Sequence, residues 1–502
     1  MPTLLVRRSG NLIDISPDGR SPLDPQVIDL LRPLLSYNHK TILQGHARYG
    51  PDGQVRNVDI ETRDMFAIEE GRLATGFGFL TSIVNRLKPH GYDLRYIDIS
   101  PERQRPGCYT PDWESVHQYV SFRARQQECL ELITQNETGL INAATGFGKT
   151  FMFSSVAHCY PRAKIHIVVR PKDVAARIVR ELSKTLPNIG QIGGGKSFLG
   201  DRITVFTAGS LHRSDGDCDI LLADEVHLLM TDVTASELGR AYRFSRNFGF
   251  TATPDGRMDG ADAQLELFFG RQIFTLPYDE AVALGLVVPI HVRWLVVQDN
   301  YNPAKDKSGV PRMRWGVWRN EFRNQKIAAD VREHYGNPDT QVLILCATID
   351  HAIHLWQHLP EFNMCYGSFD PEALASYKKN GMLPETFIPT DSARREEMRL
   401  AFEAGTLKKV IATDVWATGV DFDQLGVLYR VDARESEILD TQAPGRVSRI
   451  HSSKSCGEVI DCYDAFDKAL KRKSDTRRRH YKNLSWTQSG IGGKRQFSNA
   501  GT

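Results

Sequence analysis

An apolar run, Gly139-Leu140-Ile141-Asn142, passes directly into Ala143-Ala144-Thr145-Gly146-Phe147-Gly148-Lys149-Thr150 and then into the helix-compatible stretch 151–160. No other feature constrains this chain as strongly. A buried strand that breaks at glycines and restarts as a helix aims successive backbone N–H groups and the positive end of the helix dipole at one point, where an anion fits. Lysine at the helix start can then reach the outer phosphates of a nucleotide, and the hydroxyl that follows can hold Mg²⁺. Thr145, Gly146, Gly148, Lys149 and Thr150 are therefore candidate nucleotide ligands, although Ala143 replaces the first glycine of the strict pattern.

Such a loop needs a parallel sheet around it, and the rest of the chain supplies one twice over. Short β-branched runs alternate with longer amphipathic stretches: TGLINAA, KIHIVVR, RITVFT, DILLADE and FGFTAT, then TQVLILCAT, KKVIATD, GVLYRVD and GEVIDCYD. This is the pattern of strands covered by helices. It predicts an α/β fold of two tandem parallel-sheet domains, 116–288 and 321–485, with a small N-terminal α+β accessory domain, 1–115. Residues 289–320 read as a linker with room for a hairpin, and 486–502 as a mobile tail. At 502 residues with 41% hydrophobic content, the chain can bury several cores. A net charge of +2 does not by itself indicate a polyanionic partner. No apolar run reaches bilayer length and no signal peptide is evident, which predicts a soluble, cytoplasmic protein without a membrane partner. The eight cysteines, scattered and without a Cys-x-x-Cys pair, are expected as reduced, buried thiols.

Seventy-five residues after Lys149, Asp224-Glu225-Val226-His227 closes the run DILLA. An aspartate at the carboxyl edge of a strand beside a phosphate loop can hold Mg²⁺, and its neighbouring glutamate can polarise an attacking water. With these residues in hand, the chain resembles the superfamily-two helicases and translocases. AATGFGKT resembles their motif I, DEVH their motif II and Thr251-Ala252-Thr253-Pro254 their motif III. The segment 412–421, with Thr413, Gly419 and Asp421, resembles motif V, and 442–449, Q-x-x-G-R-x-x-R, resembles motif VI. The resemblance implies two RecA-like domains, ATP and Mg²⁺ as cofactors, and catalysis by Lys149, Asp224, Glu225, Arg446 and Arg449. It places Thr150 and Asp224 on the metal, and Gly419, Asp421 and Gln442 with the nucleotide. His227, Thr251 and Thr253 would couple hydrolysis to movement. Arg123 and Gln126, in SFRARQQ, would lie around the adenine, with Gln127 as an alternative register. Arg170, Pro171, Thr207, Thr348 and Thr413 match positions that hold the nucleic-acid backbone.

A narrower resemblance, to UvsW-type phage branch-migration helicases, rests on 47–53 (ARYGPDG), on HGYDLRYID and on 192–196 (IGGGK). It adds Arg48 and Tyr49 as nucleic-acid contacts, single-stranded and branched DNA as partners, the host cytoplasm as location and a monomeric motor. Residues 366–386 depart from the compact second domain of the family. Lys471, Arg472, Lys473, Arg477, Arg478 and Arg479, with Tyr481 and Trp486, form a basic, aromatic cluster suited to phosphates and bases. The expected activity is that of an ATP-dependent helicase or translocase acting on forks and four-way junctions. An RNA helicase, a restriction-type duplex translocase and an ATP-gated clamp are the alternatives.

Overall fold

The computed structural model describes residues 2–19, 21–42, 58–100, 109–170, 172–243, 245–252, 260–416, 422–452 and 454–491. The chain divides into two compact units, Met1–Pro277 and Tyr278–Thr502.

The first unit begins with a lobe whose five-stranded sheet runs in the order Phe66–Glu69, Arg72–Gly76, Leu12–Pro17, Thr3–Ser9, Asp93–Asp98. Alternation along these strands turns Leu4, Val6, Ile13, Ile15 and Leu73 to one face, where helices Pro25–Leu35 and Leu80–Leu87 cover them. A separate antiparallel ribbon pairs Ser36–Ile42 with Val58–Asp64. The lobe is seated on the rest of the unit by part-buried hydrogen bonds and an ion pair. Asn11 donates to the carbonyls of Tyr242 and Ser245, both at 2.8 Å. Arg8 pairs with Glu137, Ser82 bonds Glu266, and Gln264 donates to the Tyr37 hydroxyl at 2.5 Å. At Gly78 a Cβ would stand 1.8 Å from the Glu266 carbonyl oxygen, so only glycine permits this backbone-to-backbone approach.

The remainder of the first unit is an eight-stranded sheet in the order Lys196–Phe198, Gly190–Gly193, Ile203–Thr207, Ile165–Val169, Ile220–Asp224, Arg246–Thr251, Thr138–Ala143, Gln272–Leu276. All its pairings are parallel except the edge hairpin 190–198. Strands Ile203–Thr207, Ile165–Val169 and Ile220–Asp224 are buried along their whole length, as a sheet covered on both faces requires.

The second unit holds a seven-stranded, all-parallel sheet in the order Asn363–Cys365, Lys409–Ala412, Val342–Leu345, Val427–Arg430, Gly457–Asp464, Ile290–Val297, Thr487–Ser489. Two sequence expectations are corrected here. The stretch 289–320 is not a linker with a hairpin: Ile290–Val297 pairs in parallel with Gly457–Asp464 along its whole length. The second aromatic run forms Gly309–Met313 and a π-helical turn, Arg314–Trp318, with Val317 buried. The segment past Ser485 is not a free tail as far as residue 491. Trp486 is buried, and Thr487–Ser489 adds the edge strand beside 291–293. Both pieces gain their place from strands far away in sequence, which local periodicity does not report. Residues 366–386 contain a helix, Pro371–Lys379, N-capped by Asp370. Its Tyr377 hydroxyl donates to Asp350 at 2.5 Å, and Leu383 is buried in the core. No disulfide joins the described cysteines, and all of these but Cys456 are buried. No described helix is long and apolar enough to cross a membrane.

Candidate nucleotide site and nucleic-acid interface

In the first sheet the sequence-predicted residues gather at the carboxyl ends of the strands, where open α/β sheets bind ligands. Asp224 ends Ile220–Asp224 and Thr251 ends Arg246–Thr251. The phosphate loop, 144–148, follows Thr138–Ala143. Strand 246–251 lies between the other two, with Phe250 level with Asp224 and Thr251 level with Asn142. The three strand ends therefore present their residues side by side.

The loop is shaped by two glycines in left-handed backbone, Gly146 at φ 101° and Gly148 at φ 95°, the second acting as N-cap of helix Lys149–Cys159. A Cβ on Gly148 would stand 2.9 Å from Arg123 Nη2 and 3.0 Å from Gln126 Nε2. Thr145 and Thr150 are half-buried on either side. Lys149 extends to the next strand end, where it pairs with Glu225 and lies 3.3 Å from Asp224 Oδ1. Burial works against the Lys149 charge, but the two carboxylates hold its pKa above the usual value. Burial is also the largest influence on Asp224 and lifts its carboxyl above the usual range, with Lys149 pulling the other way. Glu225 adopts left-handed backbone at φ 47°, and its N–H donates to Asp224 Oδ1 at 3.0 Å. His227, buried, shares a 2.8 Å hydrogen bond with the Thr251 hydroxyl and lies 3.6 Å from Glu225. A line of contacts thus runs Lys149, Glu225, His227, Thr251.

Gln126, expected around the adenine, is hydrogen-bonded to the backbone of the phosphate loop. It is buried; its Oε1 accepts from the Arg123 N–H at 2.8 Å and its Nε2 donates to the Phe147 carbonyl at 2.7 Å. Arg123 reaches the carbonyls of Gly146 and Phe147 at 3.3 and 3.2 Å. Both side chains brace the loop from below. Gln127 is exposed and bonds Glu131.

Arg170 is exposed just past Ile165–Val169, whereas Thr207 is buried and donates to Ser210 at 3.0 Å. In the second unit Thr348 follows Val342–Leu345 and caps helix Ile349–Trp356 by accepting from the His351 N–H at 3.1 Å. Thr413 follows Lys409–Ala412 and is buried. Gln442 ends helix Glu437–Gln442, and Arg446 is buried in the 3₁₀ turn Pro444–Ser448, with Arg449 half-buried after it. Arg48, Tyr49, Pro171, Thr253, Gly419 and Asp421 lie outside the described residues.

A buried charge network beneath the motif VI segment escaped the sequence reading. Arg430 pairs with Asp440 at 2.6 Å and Asp432 at 3.2 Å and donates to the Tyr481 hydroxyl at 2.7 Å; Tyr481 in turn donates to Asp461 at 2.9 Å. Arg477 bonds both Asp461 oxygens at 2.8 and 2.9 Å. Burial lifts the Asp440 carboxyl to about 6, more than Arg430 lowers it. Arg477, Tyr481 and Trp486 are thus buried in the second unit, which removes them from the exposed basic cluster expected of 471–486. The only sequence signal for this network was arginine at the end of a strand, a common surface pattern.

Two family models match the chain: "Type III restriction enzyme, res subunit" over residues 119–256 and "Helicase conserved C-terminal domain" over 326–451. They follow in the order of the two parallel sheets, and between them take in more than half of the chain. The chain belongs to the superfamily-two helicases. It is 25% identical over 291 residues to a putative type I restriction enzyme MjaIXP endonuclease subunit of Methanocaldococcus jannaschii. That match takes in 52% of this chain but only 27% of the relative's length. A probable helicase of Escherichia phage T5 is 24% identical over 378 residues, 73% of this chain and 76% of that one. Among solved structures, S. cerevisiae Dbp5 bound to RNA and ADP BeF3 superposes with a TM-score of 0.51 at 15% identity, covering 76% of this chain and 93% of that one. T4 UvsW gives a TM-score of 0.41 at 17% identity, covering 97% and 99%. The Dbp5 likeness is one of fold: tandem RecA-like sheets.

Proposed function

We propose that this helicase is an ATP-driven DNA translocase that remodels forks and four-way junctions in phage recombination, repair or replication, acting as a monomeric motor in the host cytoplasm. One observation carries the reading beyond the family: the N-terminal lobe lies outside both matched segments yet is packed into one unit with the ATP-binding sheet through Arg8–Glu137, Asn11, Ser82–Glu266 and the Gly78 contact. A motor that only tracks a strand has no need of such a lobe. A rigidly seated one moves with each ATP-driven step and can present a junction-reading surface, to which Arg48 and Tyr49 would belong.

Hydrolysis follows from the residues at the strand ends. Lys149 exchanges its carboxylate partners for the outer phosphates of ATP, which frees Glu225 to take a proton from the water attacking the γ-phosphorus as the bond to ADP breaks. Thr150 and Asp224, a hydroxyl and a carboxylate, are the hard oxygen donors that suit Mg²⁺ beside phosphates, and the ion when bound neutralises phosphate charge. Thr145, Gly146 and Gly148 direct N–H groups at the phosphates, while Gly419, Asp421 and Gln442 contact the nucleotide. Arg446 and Arg449 stabilise the charge that develops on the transferring group. The His227–Thr251 hydrogen bond, with Thr253, links Glu225 to the strand that follows. Arg170, Pro171, Thr207, Thr348 and Thr413 track the DNA backbone.

Steady-state ATP turnover and strand separation by the full chain on single-stranded DNA, duplex, fork, four-way junction and RNA test this reading. Forks and junctions are expected to be remodelled fastest. Equal action on RNA, or turnover on DNA without remodelling of any branch, would refute it.

A further inference from the structure

The last helix of the second unit, Lys468–Asn483, carries eight Lys and Arg residues and one acid, Asp475. Its inner face, with Leu470, Ser474, Arg477 and Tyr481, is buried, and there Arg477 is neutralised by Asp461. On the outer face Arg478 and Lys482 are exposed, one turn apart, and neither side chain makes an ion pair or hydrogen bond with a described residue. Like charges at this spacing repel. The exposed helix Ser392–Glu403 handles the same situation differently, pairing Arg394 with Glu397 and Arg399 with Glu396 and Glu403. Asp475, on the same helix, accepts from the Tyr463 hydroxyl at 2.9 Å and makes no ion pair with Arg478 or Lys482.

These cations line a cavity of about 700 Å³ together with Trp294, Trp486, Gln488, Arg479 and one acid, Asp475. Trp486 is 5% exposed, and its indole N–H has no acceptor among the described residues, whereas the Trp294 N–H donates to Gln488 at 2.8 Å. A buried donor without an acceptor is costly, and an anion entering the cavity would supply one. The negative end of the helix accounts for a cation in its last turn, but not for three around one concave space. The sequence that follows, 492–502, contains Lys494 and Arg495 and no Asp or Glu.

We infer that this cavity is a subsite for the phosphate backbone of a nucleic-acid strand, held by Arg478, Lys482 and the Trp486 indole N–H. It lies apart from the helicase motifs, on the edge of the second sheet formed by Thr487–Ser489. A planar guanidinium fork and an ammonium suit phosphate oxygens, and the volume admits more than a lone phosphate. The inference rests on the translocase reading and adds a second grip on the strand, fixed to the second unit.

The test is binding of a fluorescein-labelled 20-nucleotide single strand to the nucleotide-free full chain, titrated with salt. Arg478→Gln/Lys482→Gln is expected to bind about ten- to thirtyfold more weakly at 0.1 M salt, with the log–log salt slope lower by about 1.4, as loss of two phosphate contacts dictates. Trp486→Phe, which keeps the ring and removes the donor, should lose several-fold. Lys471→Gln/Arg472→Gln, exposed on the same helix but outside the cavity, should stay within twofold. ATP turnover without nucleic acid should be unchanged in all three. Equal losses in both double variants would mean a diffuse field and overturn the inference, as would an unaltered salt slope in the first. A first variant that loses competition by inorganic phosphate or ADP while keeping its affinity for the strand would assign the cavity to a small anion and also overturn it. A wild-type chain that binds no strand would overturn the translocase reading along with the subsite, so the two failures are told apart by which protein fails.

Discussion

Arg323 and Asp464 form an ion pair in which both side chains are fully buried, with Nε and Nη2 of the guanidinium 2.7 and 3.3 Å from the two carboxylate oxygens. The pair ties helix Glu321–Tyr335 to the end of strand Gly457–Asp464, the strand that follows motif VI. Arg323→Met removes the cation and leaves the Asp464 carboxylate buried without its partner. Loss of one partner of a buried pair costs about 3–5 kcal/mol. With a urea dependence of about 2–3 kcal/mol per molar, the unfolding midpoint of the second unit should fall by about 1–2.5 M. Six of the seven tryptophans lie in that unit, so tryptophan emission during a urea titration reports it selectively. Arg323→Met/Asp464→Leu removes both charges and should recover most of the loss, to within about 1–2 kcal/mol of wild type, because an apolar pair of similar volume avoids the desolvation cost. A single variant within about 1 kcal/mol of wild type, or a double variant no more stable than the single, would refute this account of the pair.

Glu225→Gln should retain ATP binding and lower turnover at least about a hundredfold, the scale of a lost general base; turnover within threefold of wild type would remove Glu225 from that role. Gly148→Ala forces a side chain into left-handed backbone and against Arg123 and Gln126, so ATP affinity measured by calorimetry should fall at least about tenfold, the equivalent of roughly 1–2 kcal/mol of backbone strain. Arg446→Ala and Arg449→Ala should each depress hydrolysis far more than DNA binding without nucleotide, and normal turnover in both would contradict their assignment. Acid titration of stability should show two opposed groups. Burial lowers the His351 pKa from its usual 6.5 to about 3, so the unfolded chain takes up a proton that the native one refuses. That stability is present above pH 6.5 and is lost as pH falls toward 3, by up to about 1.4 kcal/mol per pH unit. Asp440, raised to about 6, acts the other way: the native chain keeps a proton that the unfolded one has released, so its contribution is present below about pH 4 and is lost as pH rises through 6. Urea unfolding of His351→Gln and Asp440→Asn at pH 4 to 7 should remove the two slopes separately, and unchanged slopes would refute both assignments.

The residues at the carboxyl ends of the first sheet were legible because each is local: a strand run, then Gly146-Phe147-Gly148-Lys149, then Asp224-Glu225 at the end of another. The parallel sheets were legible for the same reason, since buried strands read as unbroken β-branched runs. Gln126 shows where the reading stopped. Its spacing from Arg123 suited a base contact, and the two hydrogen bonds that its amide makes to the backbone are something spacing does not report.

By itself the sequence determined the motor: which segments become strands, where the phosphate loop breaks the first of them, and which acids and arginines follow in order, all of it information carried within a few residues at a time. Tertiary structure alone decided that Ile290–Val297 and Thr487–Ser489 complete the second sheet, that Arg477 and Tyr481 turn inward to Asp461, and that Arg478 and Lys482 stay outside. A basic helix has the same composition whichever face is buried. Only the acids brought beneath it by strands Val427–Arg430 and Gly457–Asp464 determine which of its cations are neutralised and which remain exposed.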